Sequence, residues 1–178
     1  MSEQRPDRRQ LRNLSYAGMF AALTALLTAA LHIPVTNGYI HCGDAVIYLS
    51  AALLPTHYAV GASAVGGMLA DIIAGYPVYA LPTFLIKGLL AACFSLTGGS
   101  RLLCGRRFAA MALCTVISVA GYWLTAVLLY GGWQAQLAAT VPGNLVQAAA
   151  SAGIYTAAAF ALNKTQNRSA GEGGAFRF

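Results

Sequence analysis

Apolar residues fall in six stretches along this 178-residue chain. They cover roughly residues 14–33, 40–54, 58–74, 83–96, 108–130 and 141–162. Each is bounded by proline, glycine or basic residues, and the longer ones match the length of a membrane-crossing helix. The second is the shortest. About 15 residues rise only about 22 Å at 1.5 Å per residue, less than the hydrocarbon thickness of about 30 Å. Arginines decide whether it crosses. With six crossings, Arg5, Arg8, Arg9 and Arg12 share one side with Arg101, Arg106 and Arg107 and with Lys164 and Arg168. With five, the middle cluster falls on the wrong side of the positive-inside rule. The pattern therefore predicts an all-α integral membrane bundle of six transmembrane helices, with both termini cytoplasmic. Residues 1–13 form a basic N-terminal segment, 14–162 the membrane domain, and 163–178 a polar, glycine-rich flexible tail.

Composition agrees: 58% of residues are hydrophobic and 9% charged, against about 25% charged in a soluble domain. The net charge of +6 sits at the helix boundaries, so it speaks for membrane orientation and against nucleic-acid binding. The first apolar stretch is about 20 residues, longer than a signal-peptide core of about 7–15, and reads as a retained helix. Cys42, Cys93, Cys104 and Cys114 show no metal spacing and read as small packing residues. No P-loop, zinc-protease or nucleophile-elbow motif occurs, so neither an enzyme nor an ATP-powered chain is expected, and no cofactor or metal.

Asp44, Asp71 and Lys87 are the only acids and the only lysine between Arg12 and Lys164. Ionisable groups at membrane depth cost roughly 2.5–3.5 kcal/mol each unless paired or hydrated, which marks them as functional candidates. In a six-crossing topology all three lie near the outer ends of their helices. Asp71 and Lys87 flank the loop GYPVYALP and can approach each other. The plainer reading is that Asp44 caps a helix N-terminus and Lys87 snorkels or neutralises Asp71. Tyr76 and Tyr79 in that loop can stack on a flat ring or sit in an aromatic belt. Asn144 and Gln147 share a face at the start of the sixth stretch, where Pro142 suits a first helical turn. They offer uncharged donors and acceptors to a heterocycle, or bond neighbouring helices. The other outer loops, 34–42 and 131–140, add Asn37, Tyr39, His41, Trp133 and Gln134. Ala17, Ala21, Ala25 and Ala29 make a stripe on which another helix can pack closely.

The segments HCGDAVIYLSAALL, ADIIAGYPVYALPTFLIKGL and VPGNLVQ resemble the S component, the substrate-binding membrane subunit, of energy-coupling factor (ECF) transporters. The likeness spans about residues 14–162 and is nearest the riboflavin-type branch, which also contains pyridoxine and hydroxymethylpyrimidine binders. The resemblance implies a multi-pass protein of the bacterial cell membrane. Such a subunit captures a vitamin at the outer face and docks on a scaffold (T) subunit driven by two ATP-binding-cassette ATPases. It implies docking through the Ala17, Ala21 and Ala25 stripe, and a pocket drawn from Asn37, Tyr39, His41, Asp71, Tyr76, Tyr79, Lys87, Trp133, Asn144 and Gln147. Pyridoxine or hydroxymethylpyrimidine is the favoured ligand and riboflavin the next. Two other classes compete. A stand-alone secondary transporter would use Asp71 and Lys87 as an ion relay, and a structural membrane subunit would use the stripe alone.

Overall fold

The computed structural model describes residues 7–35, 38–97, 99 and 101–171. Its main elements are six α-helices: α1 (Arg8–Ala30), α2 (Asp44–Leu53), α3 (Thr56–Ile73), α4 (Ala80–Thr97), α5 (Gly105–Tyr130) and α6 (Trp133–Gly171). Four of these regions are long and apolar enough to cross a membrane: Arg8–Ala30, Pro77–Thr97, Gly105–Tyr130 and Trp133–Thr165. At ten residues, α2 rises only about 15 Å and does not reach across hydrocarbon by itself. The outside of the bundle is leucine-rich; Leu14, Leu26, Leu81 and Leu128 are all more than half exposed. Such a surface suits lipid rather than water.

Local sequence sets the helix ends. Leu54 precedes Pro55 and is held extended, which stops α2. At the end of α3, Gly75 takes a φ of +85°. There the Tyr76 amide reaches back to the Asp71 carbonyl (2.8 Å) and the Gly75 amide to Ile72 (3.3 Å). This is a Schellman closure, and it fixes Asp71 in the last turn of α3 with Tyr76 just beyond it. A short 3-10 turn, Pro77–Tyr79, then leads into α4.

Three features depart from the sequence reading. The stretch before α2 folds as an antiparallel hairpin, β1 (His32–Val35) against β2 (Gly38–His41), with Pro34 opposite Tyr39 and His32 opposite His41. Ile40 and His41 thus belong to a strand, not to the second helix. The expected loop 131–140 shrinks to Gly131 and Gly132, both at positive φ, and α6 begins at Trp133. Pro142 therefore lies inside α6 rather than in its first turn. Finally, α6 runs on to Gly171, so 163–171 is helical where a flexible tail was expected.

Helix α3 packs between α1 and α4, α5 joins α4 to α6, and α2 rests on α4 and α6. The core holds the rings of Tyr48, Phe94 and Tyr155, with centroids 4.8–6.0 Å apart. At the arginine-loop end, Arg107 donates to the Phe94 carbonyl (3.1 Å) and Tyr155 to that of Leu102 (2.7 Å). Helices α1 and α3 touch backbone to backbone at Gly66. A Cβ there would lie 2.6 Å from the Ala21 carbonyl oxygen and 2.9 Å from Thr24 Cβ. Gly66→Ala is expected to lower stability by about 1–3 kcal/mol, the usual range for overpacking. A thermal-unfolding midpoint in detergent equal to the parent's would refute this account of the α1–α3 contact.

Candidate functional site

The hairpin packs against the end of α3 and against α6 at Gly143 and Gln147, beside a buried polar cluster. The ion pair inside it is not the one the sequence favoured. Lys87 Nζ lies 2.6 Å from Asp44 Oδ1, and both side chains are at most 2% exposed. Gln147 on α6 donates to the other Asp44 oxygen (3.0 Å) and accepts the His41 amide (3.3 Å). Asp44 is thus the counter-ion of Lys87 rather than a helix cap; Gly43 is the residue at the capping position of α2. Lys87 also lies over the ring of Tyr122, 5.1 Å from its centroid.

Asp71 stands apart from that pair. Its Oδ1 accepts a hydrogen bond from the Tyr39 hydroxyl at 2.5 Å. Its Oδ2 is buried and has no hydrogen-bond partner among the described residues. Tyr39 packs against His32 (5.1 Å), His41 (5.5 Å) and Tyr76 (5.1 Å), so its ring is wedged between hairpin and loop. Beneath it lies a cavity of about 50 Å³. Tyr39, His41, Asp71, Tyr79, Tyr122 and Asn144 form its polar wall, with Thr140 and Gln147 beside them.

Residues 8–164 match the protein family described as ECF-type riboflavin transporter, S component. The chain belongs to this family. It is therefore a membrane transport protein, a multi-pass substrate-binding subunit of the cell membrane that takes a vitamin-type ligand and works with an energy-coupling module. The chain is also similar to an uncharacterised protein from the gap 3′ region of Pyrococcus woesei. That relative is 33% identical over 111 residues, which cover 62% of this chain and 74% of that protein.

Of the ten pocket residues expected for an S component here, six line the cavity: Tyr39, His41, Asp71, Tyr79, Asn144 and Gln147. Tyr76 touches it through the Tyr39 ring. Lys87 sits behind the wall, bound to Asp44. Trp133 lies away from the cavity and more than half exposed, its carbonyl accepting from Trp123. Asn37 lies outside the described residues. Tyr122 and Thr140 were missed, and Asp44 was left out of the site. Nothing singled out Tyr122, which sits two turns inside α5 in an apolar stretch. Asp44 was visible as a buried charge but had no partner assigned.

Two of the three residues of the expected docking stripe, Ala17, Ala21 and Ala25, are buried, and Ala21 is partly buried. Ala17 and Ala25 are only 7% and 6% exposed, turned into this chain's own bundle. Their backs are taken because α1 packs on α3. Beside the stripe, Gly18 and Ala22 remain exposed.

His41 ties the hairpin to α2, its Nδ1 accepting the Gly43 amide at 3.0 Å. Burial, reinforced by the Lys87 charge, pushes the imidazole down from 6.5 to about 3. The folded value lies below the unfolded one, so the folded state binds the proton less readily. Stability present above pH 6.5 is then lost as the pH falls from 6.5 towards 3. The loss approaches about 1.4 kcal/mol per pH unit inside that window. The unfolding midpoint is expected to drop on acidification, and His41→Asn to flatten the drop. An unchanged slope in the variant would assign the acid sensitivity elsewhere.

Proposed function

We propose that this S component captures a small heterocyclic B vitamin or precursor at its outer face and delivers it for ATP-driven uptake by partner subunits. The carrying observation is the cavity roofed by Tyr39 and walled by Tyr79, Tyr122, Asn144 and Asp71. Aromatic faces stack on a flat ring, and a few convergent polar groups set its orientation. The size of the site favours one ring, pyridoxine or hydroxymethylpyrimidine, over the three fused rings of riboflavin. Sites for drug-sized ligands run to roughly 300–1,000 Å³, so even a single ring needs more than the present volume.

The partners in this reading are a membrane scaffold subunit and two ATP-binding-cassette ATPases, and the chain threads the membrane six times with both ends in the cytoplasm, the second crossing being made by α2 together with the hairpin before it. The clustering of arginines at chain ends and in the 101–107 loop supports that orientation. Gly18 and Ala22 offer the scaffold a close approach on α1. A stand-alone ion relay through Asp71 and Lys87 is disfavoured, because Lys87 is engaged by Asp44.

The test is to purify the protein from cells grown in rich medium, denature it, and identify released small molecules by mass spectrometry. A stoichiometric heterocycle is expected. Asn144→Ala should weaken its binding about three- to tenfold, the worth of one hydrogen bond. Uptake in cells should require coexpressed scaffold and ATPases; uptake by this chain alone would sink the proposal.

A further inference from the structure

Two acids and one lysine are buried around the cavity, and they do not balance. Asp44 and Lys87 cancel each other at 2.6 Å, with Gln147 completing the coordination of Asp44. His41 is neutral near pH 7, because its imidazole titrates only at about 3. Asp71 is left over. It is 4% exposed, lines the cavity, and keeps one carboxylate oxygen without a partner. Its other oxygen is met by a neutral phenol, Tyr39; the Thr83 hydroxyl, also neutral, is close by, and the Lys87 charge acts on Asp71 only from within its pair with Asp44. No lysine or arginine is among the cavity-lining residues. A buried carboxylate with an unmatched oxygen favours whatever brings it a hydrogen-bond donor or a positive charge. An anion entering the same space would meet an acid and no free cation.

We infer that the ligand's ring presents a donor, an amino group or a protonated ring nitrogen, to Asp71, and that anionic vitamins and phosphate esters are rejected. This deepens the substrate-capture reading and rests on it. Lys87, held by Asp44, is not free to receive a carboxylate or phenolate. Tyr39 holds Oδ1, so Oδ2 is the acceptor offered to the ring. Tyr79 and Tyr122 supply faces for stacking, and Asn144 a second polar contact.

The experiment is a titration of the full-length protein in detergent with four probes. They are the hydroxymethylpyrimidine carrying its ring amino group, the same ring with hydrogen in place of the amino group, the phosphate ester of the amino compound, and riboflavin. The amino compound is expected to bind about ten- to a hundredfold more tightly than the deaminated ring, the worth of a hydrogen bond to a charged group. The phosphate ester should not bind. Asp71→Asn should remove most of the preference for the amino compound, and an unfolding midpoint in detergent close to the parent's shows that the variant is folded. The ligand series on the unaltered protein tests the idea without any variant. Binding of the phosphate ester as tight as its parent's, or a preference for the amino compound that survives Asp71→Asn, would overturn the inference and leave the capture reading standing. If no probe binds, the capture reading falls and this inference falls with it.

Discussion

Lys87→Met is expected to strip about 3–5 kcal/mol from the folded protein, the usual consequence of leaving one half of a buried ion pair behind. The side chain is 1% exposed, so water cannot replace the lost partner of Asp44. The methionine fills nearly the same volume, so packing contributes little to the loss. Removing the second charge should reverse most of it. In a Lys87→Met, Asp44→Asn double variant the amide can still accept from Gln147, and no net charge remains in the cluster. Replacing both members of a buried pair is often close to neutral. The double variant should therefore be clearly more stable than Lys87→Met alone, by thermal unfolding in detergent. Equal midpoints for the two would mean that Lys87 acts through its packing on Tyr122 and not through Asp44.

Gly43→Ala should be the most damaging single methyl group in the chain. Its Cβ would fall 1.9 Å from Thr28 Oγ1, 3.1 Å from His41 Nδ1 and 3.2 Å from Thr28 Cβ. The backbone at Gly43 has φ −60° and ψ −24°, which alanine adopts freely, so the effect is contact and not conformation. Thr28 is buried on α1, and neither helix can give way without losing its own packing. Overpacking usually costs about 1–3 kcal/mol and occasionally more; this site belongs at the upper end. The displaced helix start carries Asp44, so ligand affinity should fall together with stability. Thr28→Ala removes the nearest atom and should recover part of both in the double variant. If Thr28→Ala gives no rescue, the clash is not the cause.

The periodic parts of this fold were legible because long apolar runs have one stable solution in lipid. The four membrane-length regions and the chain order of all six helices follow from that. Their ends were less legible. Helix α6 starts eight residues before the expected 141 because Gln134 and Gln136 made 131–140 look like a polar loop, although Trp133, Leu137 and the alanines continue a helix. The hairpin was hidden because four-residue strands carry no periodicity strong enough to outweigh the run that follows. Among the cavity-lining residues, Tyr39, Tyr79, Asn144 and Gln147 were picked out by type and place, and Tyr122 was not. The pairing of charges was not, since nothing in a one-dimensional reading says whether Lys87 on α4 faces α2 or α3. Helix α2 contributes Asp44 to that choice and the end of α3 contributes Asp71. Packing of α2 on α4 settled it for Asp44.

That pairing sets a timetable for biosynthesis. Asp44 leaves the ribosome 43 residues ahead of Lys87 and 103 residues ahead of Gln147. At roughly 5–20 residues per second, the acid waits about 2 to 9 s for its counter-ion. During that interval the ten-residue α2 has neither the length to span the bilayer nor a partner for its charge. It can settle into the bundle only once α4 has arrived, so the start of the chain stays immature until its middle has been made.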